Sequence, residues 1–261
     1  DYRSRHAQKL AAVVNGGFIY TSTDAGFNWT EQTNAGIRDW SSIASSSNGT
    51  NLAAVVNGGS IWTSTDAGVT WTEQMNTGSR SWVSIASSSD GTNLAAVVFR
   101  GFIYTSTDAG VTWTEQMNAG SRDWLSIASS SNGTNLAAVM SPGFIYTSND
   151  GGVTWTSRLD NLSRNWRSIA SSSDGTNLAA VVTGGFIWTS TDAGVTWTEQ
   201  TTISSRNWLS IASSSSGTNL AAVVSPGFIY TSTDGGVTWT EQTNADSRSW
   251  LSIASSSDGT I

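Results

Sequence analysis

The chain has 261 residues with a formal net charge of −7, and it holds 26 Gly, 14 Trp, 2 Pro, no Cys and a single histidine, His6. Without cysteine there is no disulfide scaffold, thiolate zinc site, iron–sulfur centre or Cys nucleophile, and one histidine excludes multi-His metal sites, so neither metal nor cofactor is expected. The acidic balance argues against nucleic acid as a partner, and no apolar run reaches bilayer-spanning length, which argues against membrane insertion.

The first element in chain order is a strand over residues 10–14 (LAAVV). A second over 18–22 runs into the turn Thr23-Asp24-Ala25-Gly26, and a third covers 29–32. A loop over 34–39 leads to a strand over 40–45, the turn Ser47-Asn48-Gly49-Thr50, and the next LAAVV strand over 52–56, which ends at Asn57-Gly58-Gly59. Short strand-like runs between Gly, Asn and Asp turns mark an all-β chain. The pattern then repeats. Trp40, Trp82, Trp124, Trp166, Trp208 and Trp250 stand 42 residues apart, without insertion or deletion. We name the four strand positions of each unit A (40–45), B (52–56), C (18–22) and D (29–32), by one example of each. Six four-stranded units predict a single six-bladed β-propeller domain over residues 1–261, since radial closure leaves only short, protected edges. The sequence opens on a strand B (10–14) and its last strand is an A (250–255). The expectation is that these two pair and close the ring.

Each C–D turn reads S-x-D-x-G-x-x-W, as in Ser22, Asp24, Gly26 and Trp29. The six aspartates are Asp24, Asp66, Asp108, Asp150, Asp192 and Asp234. A carboxylate accepts N–H groups of its own turn and glycine supplies the positive φ, which is hairpin chemistry. The motif resembles the Asp-box, or bacterial neuraminidase repeat, of sialidase-type propellers. That resemblance implies structural aspartates on the periphery, away from any ligand. One carboxylate per turn is too few for a calcium cage. Sialidase chemistry would need three arginines, an acid/base Asp and a Tyr–Glu pair on particular blades. The early Arg-Ile-Pro element is absent, and Pro142 and Pro226 both lie in Ser-Pro-Gly turns. The expectation is therefore a non-catalytic member. The T-x-D-G-G-x-x-W turns are similar also to those of photosystem-assembly propellers.

The A–B and C–D turns are nearly uniform. The B–C turns and D–A loops vary, so they form the better recognition face. That face carries Arg38, Arg80, Arg122, Arg164, Arg206 and Arg248, each two residues before a strand A tryptophan. Strand D adds Glu31, Glu73, Glu115, Glu199 and Glu241, with Ser157 in the remaining unit. Arg, Glu and the tryptophans Trp40, Trp82, Trp124, Trp166, Trp208 and Trp250 are residue types that hold a sugar. The same types would also serve as a clasp, Arg pairing with Glu and packing over Trp. The functional expectation is a binding propeller of extracellular or cell-surface location that recognises a glycan or a protein surface. The alternative is a structural or protein-interaction scaffold. N-x-S/T sequons at Asn28, Asn48, Asn132 and Asn161 would permit N-glycans.

Overall fold

The computed structural model describes residues 9–259, so His6 lies outside the described residues. The architecture is all-β. In the second unit, Arg38–Ser45, Leu52–Gly59, Ile61–Ser64 and Thr72–Gln74 form an antiparallel meander in chain order, A to D. Its register pairs Ala44 with Ala53, Ala54 with Trp62, and Trp62 with Glu73. The first unit has B, C and D only: Leu10–Val13, Ile19–Ser22 and Thr30–Gln32.

Strand B is the centre of each unit, and it is buried on both faces because a sheet packs on either side. Ala53, Ala54, Val55 and Val56 are all buried. Small side chains there let the large ones of the next unit approach. Trp82, Ile85 and Tyr104 of the third unit pack on Ala53, Val55 and Ile61 of the second. At roughly 25 cal/mol per Å² of apolar surface removed from water, such stacks are the main source of cohesion.

A polar ladder runs beside the apolar stacks. The backbone N–H of Ser47 donates to Ser89 O at 2.8 Å, Ser89 to Ser131, Ser131 to Ser173, Ser173 to Ser215, and Ser215 to Ser257. Asn51 Nδ2 donates to Asp90 O at 2.8 Å, and the N–H of Ile85 donates to Ser42 Oγ at 3.4 Å. Both bonds recur at later junctions. Every seam is thus hydrogen-bonded as well as packed.

The B–C segment is not the free turn its Asn-Gly-Gly sequence suggests. Strand B runs on to Gly59, where Asn57 pairs with Ser81 and Gly59 with Arg80 of the next unit, around a bulge. The same extension occurs at Gly101 and Gly185. In the two Ser-Pro-Gly units, strand B stops at Met140 and Val224, because proline has no N–H to give to a ladder, and a single bridge remains (Gly143 with Arg164, Gly227 with Arg248). Trp166 and Trp250 then donate Nε1–H to Gly143 O and Gly227 O, both at 3.1 Å. These inter-unit links merge the meanders into sheets of three, thirteen and eight strands rather than separate four-stranded blades.

The expected pairing of 250–255 with 10–14 is not made. Leu10–Val13 pairs with Ile19–Ser22 alone, and 250–255 forms no strand. The interior strand A segments have a strand B on one side and a neighbouring unit stacked beyond. At the two ends those partners are missing, and Leu10, Val14 and Leu251 are exposed in consequence. A 3-10 turn, Thr33–Ala35, leads into the 34–39 loop and is repeated at Met75–Thr77, Met117–Ala119 and Thr243–Ala245.

Candidate functional site

The Asp-box turns are built from their own residues. Ser106 Oγ donates to Asp108 Oδ1 at 2.8 Å and accepts the N–H of Gly110 at 2.9 Å. Asp108 also accepts the N–H and hydroxyl of Thr112, at 2.8 and 2.6 Å. Trp113 Nε1–H caps the turn by donating to Gly110 O at 2.9 Å. The Thr112 hydroxyl first, and then its amide, hold the Asp108 carboxyl below its ordinary value. Asp66 and Asp192 are held in the same way, and Asp234 is lowered to about 2 by the Thr238 hydroxyl and amide. At Asp24, Asn28 takes the place of the threonine. At Asp150 burial opposes the lowering by Thr154. Gly110 has φ +87, and a Cβ there would lie 2.8 Å from Thr63 Cγ2 of the preceding unit, so the turn also fits against its neighbour. Each aspartate is fully engaged in its own turn, which suits a structural part.

The second constellation differs from its sequence reading. Trp40, Trp82, Trp124, Trp166 and Trp208 are buried to within 1% of complete, so these rings are core and offer no open platform; Trp250, at the bare end, is half-buried. The arginines stack instead on the ring of strand C in their own unit. Arg38 lies 4.2 Å over Trp62, Arg80 4.9 Å over Tyr104, and Arg122 4.9 Å over Tyr146. Arg164 lies 4.2 Å over Trp188, and Arg206 4.8 Å over Tyr230. That ring meets the strand A tryptophan edge-on, as Trp82 meets Tyr104 at 5.0 Å. Strand D completes the group. Arg80 is 3.9 Å from Glu115 and Arg206 3.9 Å from Glu241, and the hydroxyls of Tyr104 and Tyr230 donate to the same carboxylates. Burial first, and then the Glu241 bond, raise the Tyr230 hydroxyl to about 12. Tyr20 donates to Glu31 at 2.8 Å. Glu73 and Glu199 face Trp62 and Trp188, which have no hydroxyl to give. Arg248 lies 3.4 Å from Asp246.

Sequence reasoning missed Arg100. It occupies the bulge of strand B at φ +57, where three other units have Gly16, Gly58 and Gly184 at positive φ. Its guanidinium lies 5.2 Å over Phe99 and 3.9 Å from Asp123, and its side chain is 78% exposed. The signal was present as a Phe-Arg-Gly among Asn-Gly-Gly and Thr-Gly-Gly turns. The sequon residues Asn28, Asn48, Asn132 and Asn161 are all exposed. Among the described residues, no group of three or more His, Asp or Glu side chains is placed to hold a metal, and no helix is long and apolar enough to cross a membrane.

The BNR/Asp-box repeat family matches residues 230–241, the last complete box. Curated proteins give no sequence match. Similar solved structures include YCF48 bound to D1 peptide, at TM-score 0.71 and 20% identity, covering 91% of this chain and 80% of that one. The structure of a nidogen/laminin complex aligns at TM-score 0.70 and 14% identity, covering 94% and 97%. The GH74 xyloglucanase from Xanthomonas campestris aligns at 0.69 and 16%, covering 97% of this chain but 51% of its own. The chain is a β-propeller with an Asp-box repeat. At these identities the likeness extends to the fold alone, and it includes both an enzyme and interaction proteins.

Proposed function

We propose that the chain is a non-catalytic interaction propeller. It binds a protein or peptide surface on the face formed by the B–C segments and D–A loops, through carboxylates of the partner. The observation that carries this reading is Arg100. A bulge re-aims a side chain, and a non-glycine residue in the left-handed region costs about 1–2 kcal/mol. Here that strain holds an exposed guanidinium outward on an acidic chain. The exposed Arg80 and the half-buried Arg122 stand on the same face, already fixed on their aromatic rings. Two of the similar folds, YCF48 with its D1 peptide and the nidogen/laminin pair, belong to proteins that engage a peptide or a protein.

A glycan partner was the other expectation for Arg, Glu and Trp. Five of the strand A rings are core, and the five strand C rings beside them are covered by arginine, so the protein reading is the better supported. The carboxylates of the boxes and of Glu115 and Glu241 already serve internal bonds, which supports binding without hydrolysis. Six blades in a closed ring belong to the same proposal. The common A–B register would set Trp250 opposite Val14 and Ser252 opposite Val13, covering both bare ends. An extracellular location and N-glycans at the four sequons complete it. Selection of a displayed random peptide library on the immobilised chain tests the partner class. Enrichment of Asp, Glu or free C-termini supports it, and enrichment indifferent to Arg100→Gly opposes it.

A further inference from the structure

On the opposite face, a crevice recurs wherever the Asp-box turn of one unit meets the A–B turn of the next. Its volume is about 10 Å³ at the first two seams and about 30 Å³ at the last. About 10–15 Å³ is enough for a single water, so these seams are essentially shut. Between the fourth and fifth units the crevice measures about 110 Å³, room for a small polyatomic ion. The seam between the third and fourth units is larger, about 320 Å³, but its wall includes Asp150 and no cation.

Two substitutions set the fourth-to-fifth seam apart. Elsewhere the last residue of strand D is glutamine, whose Nε2 donates to a strand C threonine, as Gln116 does to Thr105 at 2.7 Å. In the fourth unit that residue is Arg158. Its Nε keeps the bond, to Thr147 Oγ1 at 2.8 Å, and its two terminal nitrogens are additional charged donors. No carboxylate lies within 4 Å of this guanidinium among the described residues, in contrast to Arg80 and Arg206. The second change is Asp160. At the equivalent position Asn34, Asn76 and Asn118 donate across the seam to the carbonyls of Val69, Val111 and Val153, and Thr202 to Val237. A carboxylate cannot donate, and the bond to Val195 O is not made. The outer strap of the seam is therefore missing where the cation stands.

We propose that this crevice is a binding site for a small oxyanion, a carboxylate, sulfate or phosphate group, held by Arg158. Around it stand Asn149, Thr147 and Thr156, which can donate hydrogen bonds, and Asn135, whose amide keeps one N–H beyond its bond to Asp174 O; Thr154 is committed to Asp150, and no acidic residue lines the cavity. A guanidinium with neutral donors and no counter-charge is complementary to such a group. The crevice is lined mainly by residues of the A–B and C–D turns, such as Asn135, Asn149 and Gly175, away from Arg100, and Arg158 reaches it from the end of strand D.

The test is a titration of the labelled chain with sodium sulfate and with sodium acetate at constant ionic strength, read by amide chemical shifts. Saturable shifts are expected at Asn149, Thr154 and Ala193, and which salt saturates first tells a tetrahedral from a planar group. Arg158→Gln installs the residue found in the other five units, so the fold is retained, and it should weaken binding about tenfold or more, the loss of a charge-assisted bond. Arg167→Gln removes an exposed positive charge elsewhere and should leave binding unchanged. Shifts that chloride reproduces, that survive Arg158→Gln, or that fall equally in Arg167→Gln would overturn the proposal.

Discussion

The Arg122 guanidinium lies 4.9 Å over the ring of Tyr146, which stands two strands away in the same sheet. Its Nε also donates to Ala119 O at 2.8 Å, so one side chain fastens the 3-10 turn, strand A and strand C together. Arg122→Ala should lower stability by about 1 kcal/mol, the worth of a partly exposed cation–π contact with a hydrogen bond. Arg122→Lys should recover only part of it, because the planar fork is lost. A thermal melt of the three proteins checks this, and equal midpoints would show that the stack does not hold the unit together.

Asp108→Ala removes the acceptor of three donors in one turn. It should cost about 1 kcal/mol, since those donors can turn to water. Peptide binding on the far face should be unchanged. Loss of binding without loss of stability would make the box a ligand site.

The box aspartates also set the acid limit. Their folded values lie below the unfolded value of about 3.9, with Asp234 near 2. Such groups contribute stability that is complete above the unfolded value and lost as pH falls through the folded one. Urea midpoints should be flat from neutral pH down to about 5 and fall steeply between about 4 and 2. Tyr230 works in the opposite sense. Its raised value of about 12 gives stability that is present below about 10 and lost as pH rises towards 12, and Tyr230→Phe should flatten that alkaline limb.

The bare ends make a separate prediction. With cysteines at Val13 and Ser252, oxidation should give an internal crosslink if the ring closes in solution. The chain has no other cysteine to interfere. Crosslinking between copies would mean that the ends meet in trans. No crosslink at all would contradict the closed six-blade ring.

The 42-residue period, the strand order and the box turns were legible in the sequence because each is local. Ser106, Asp108, Gly110 and Trp113 bond within eight residues. The site was less legible, because it depends on which side of a sheet a ring faces. Trp82 and Arg80 are two residues apart, so both point to one face, yet the partner of Arg80 is Tyr104, brought in by strand pairing 24 residues later. The extension of strand B to Gly59 was hidden for a similar reason. Asn-Gly-Gly reads as a turn, and only the neighbouring unit turns it into a bulged ladder. The ladder from Ser47 to Ser257 had a visible trace, the serine runs at constant spacing, with no local turn to explain it.

Recognition of carboxylates by the Arg100 face can be read by calorimetry. The titrant is an acidic peptide selected on the immobilised chain, run beside a panel of monosaccharides. Saturable binding of the peptide is expected, weakened about tenfold or more by Arg100→Gly. The midpoint of that variant should be unchanged or raised, because the strained residue is relieved. Saturable heat from a monosaccharide, or peptide binding indifferent to Arg100→Gly, would contradict it.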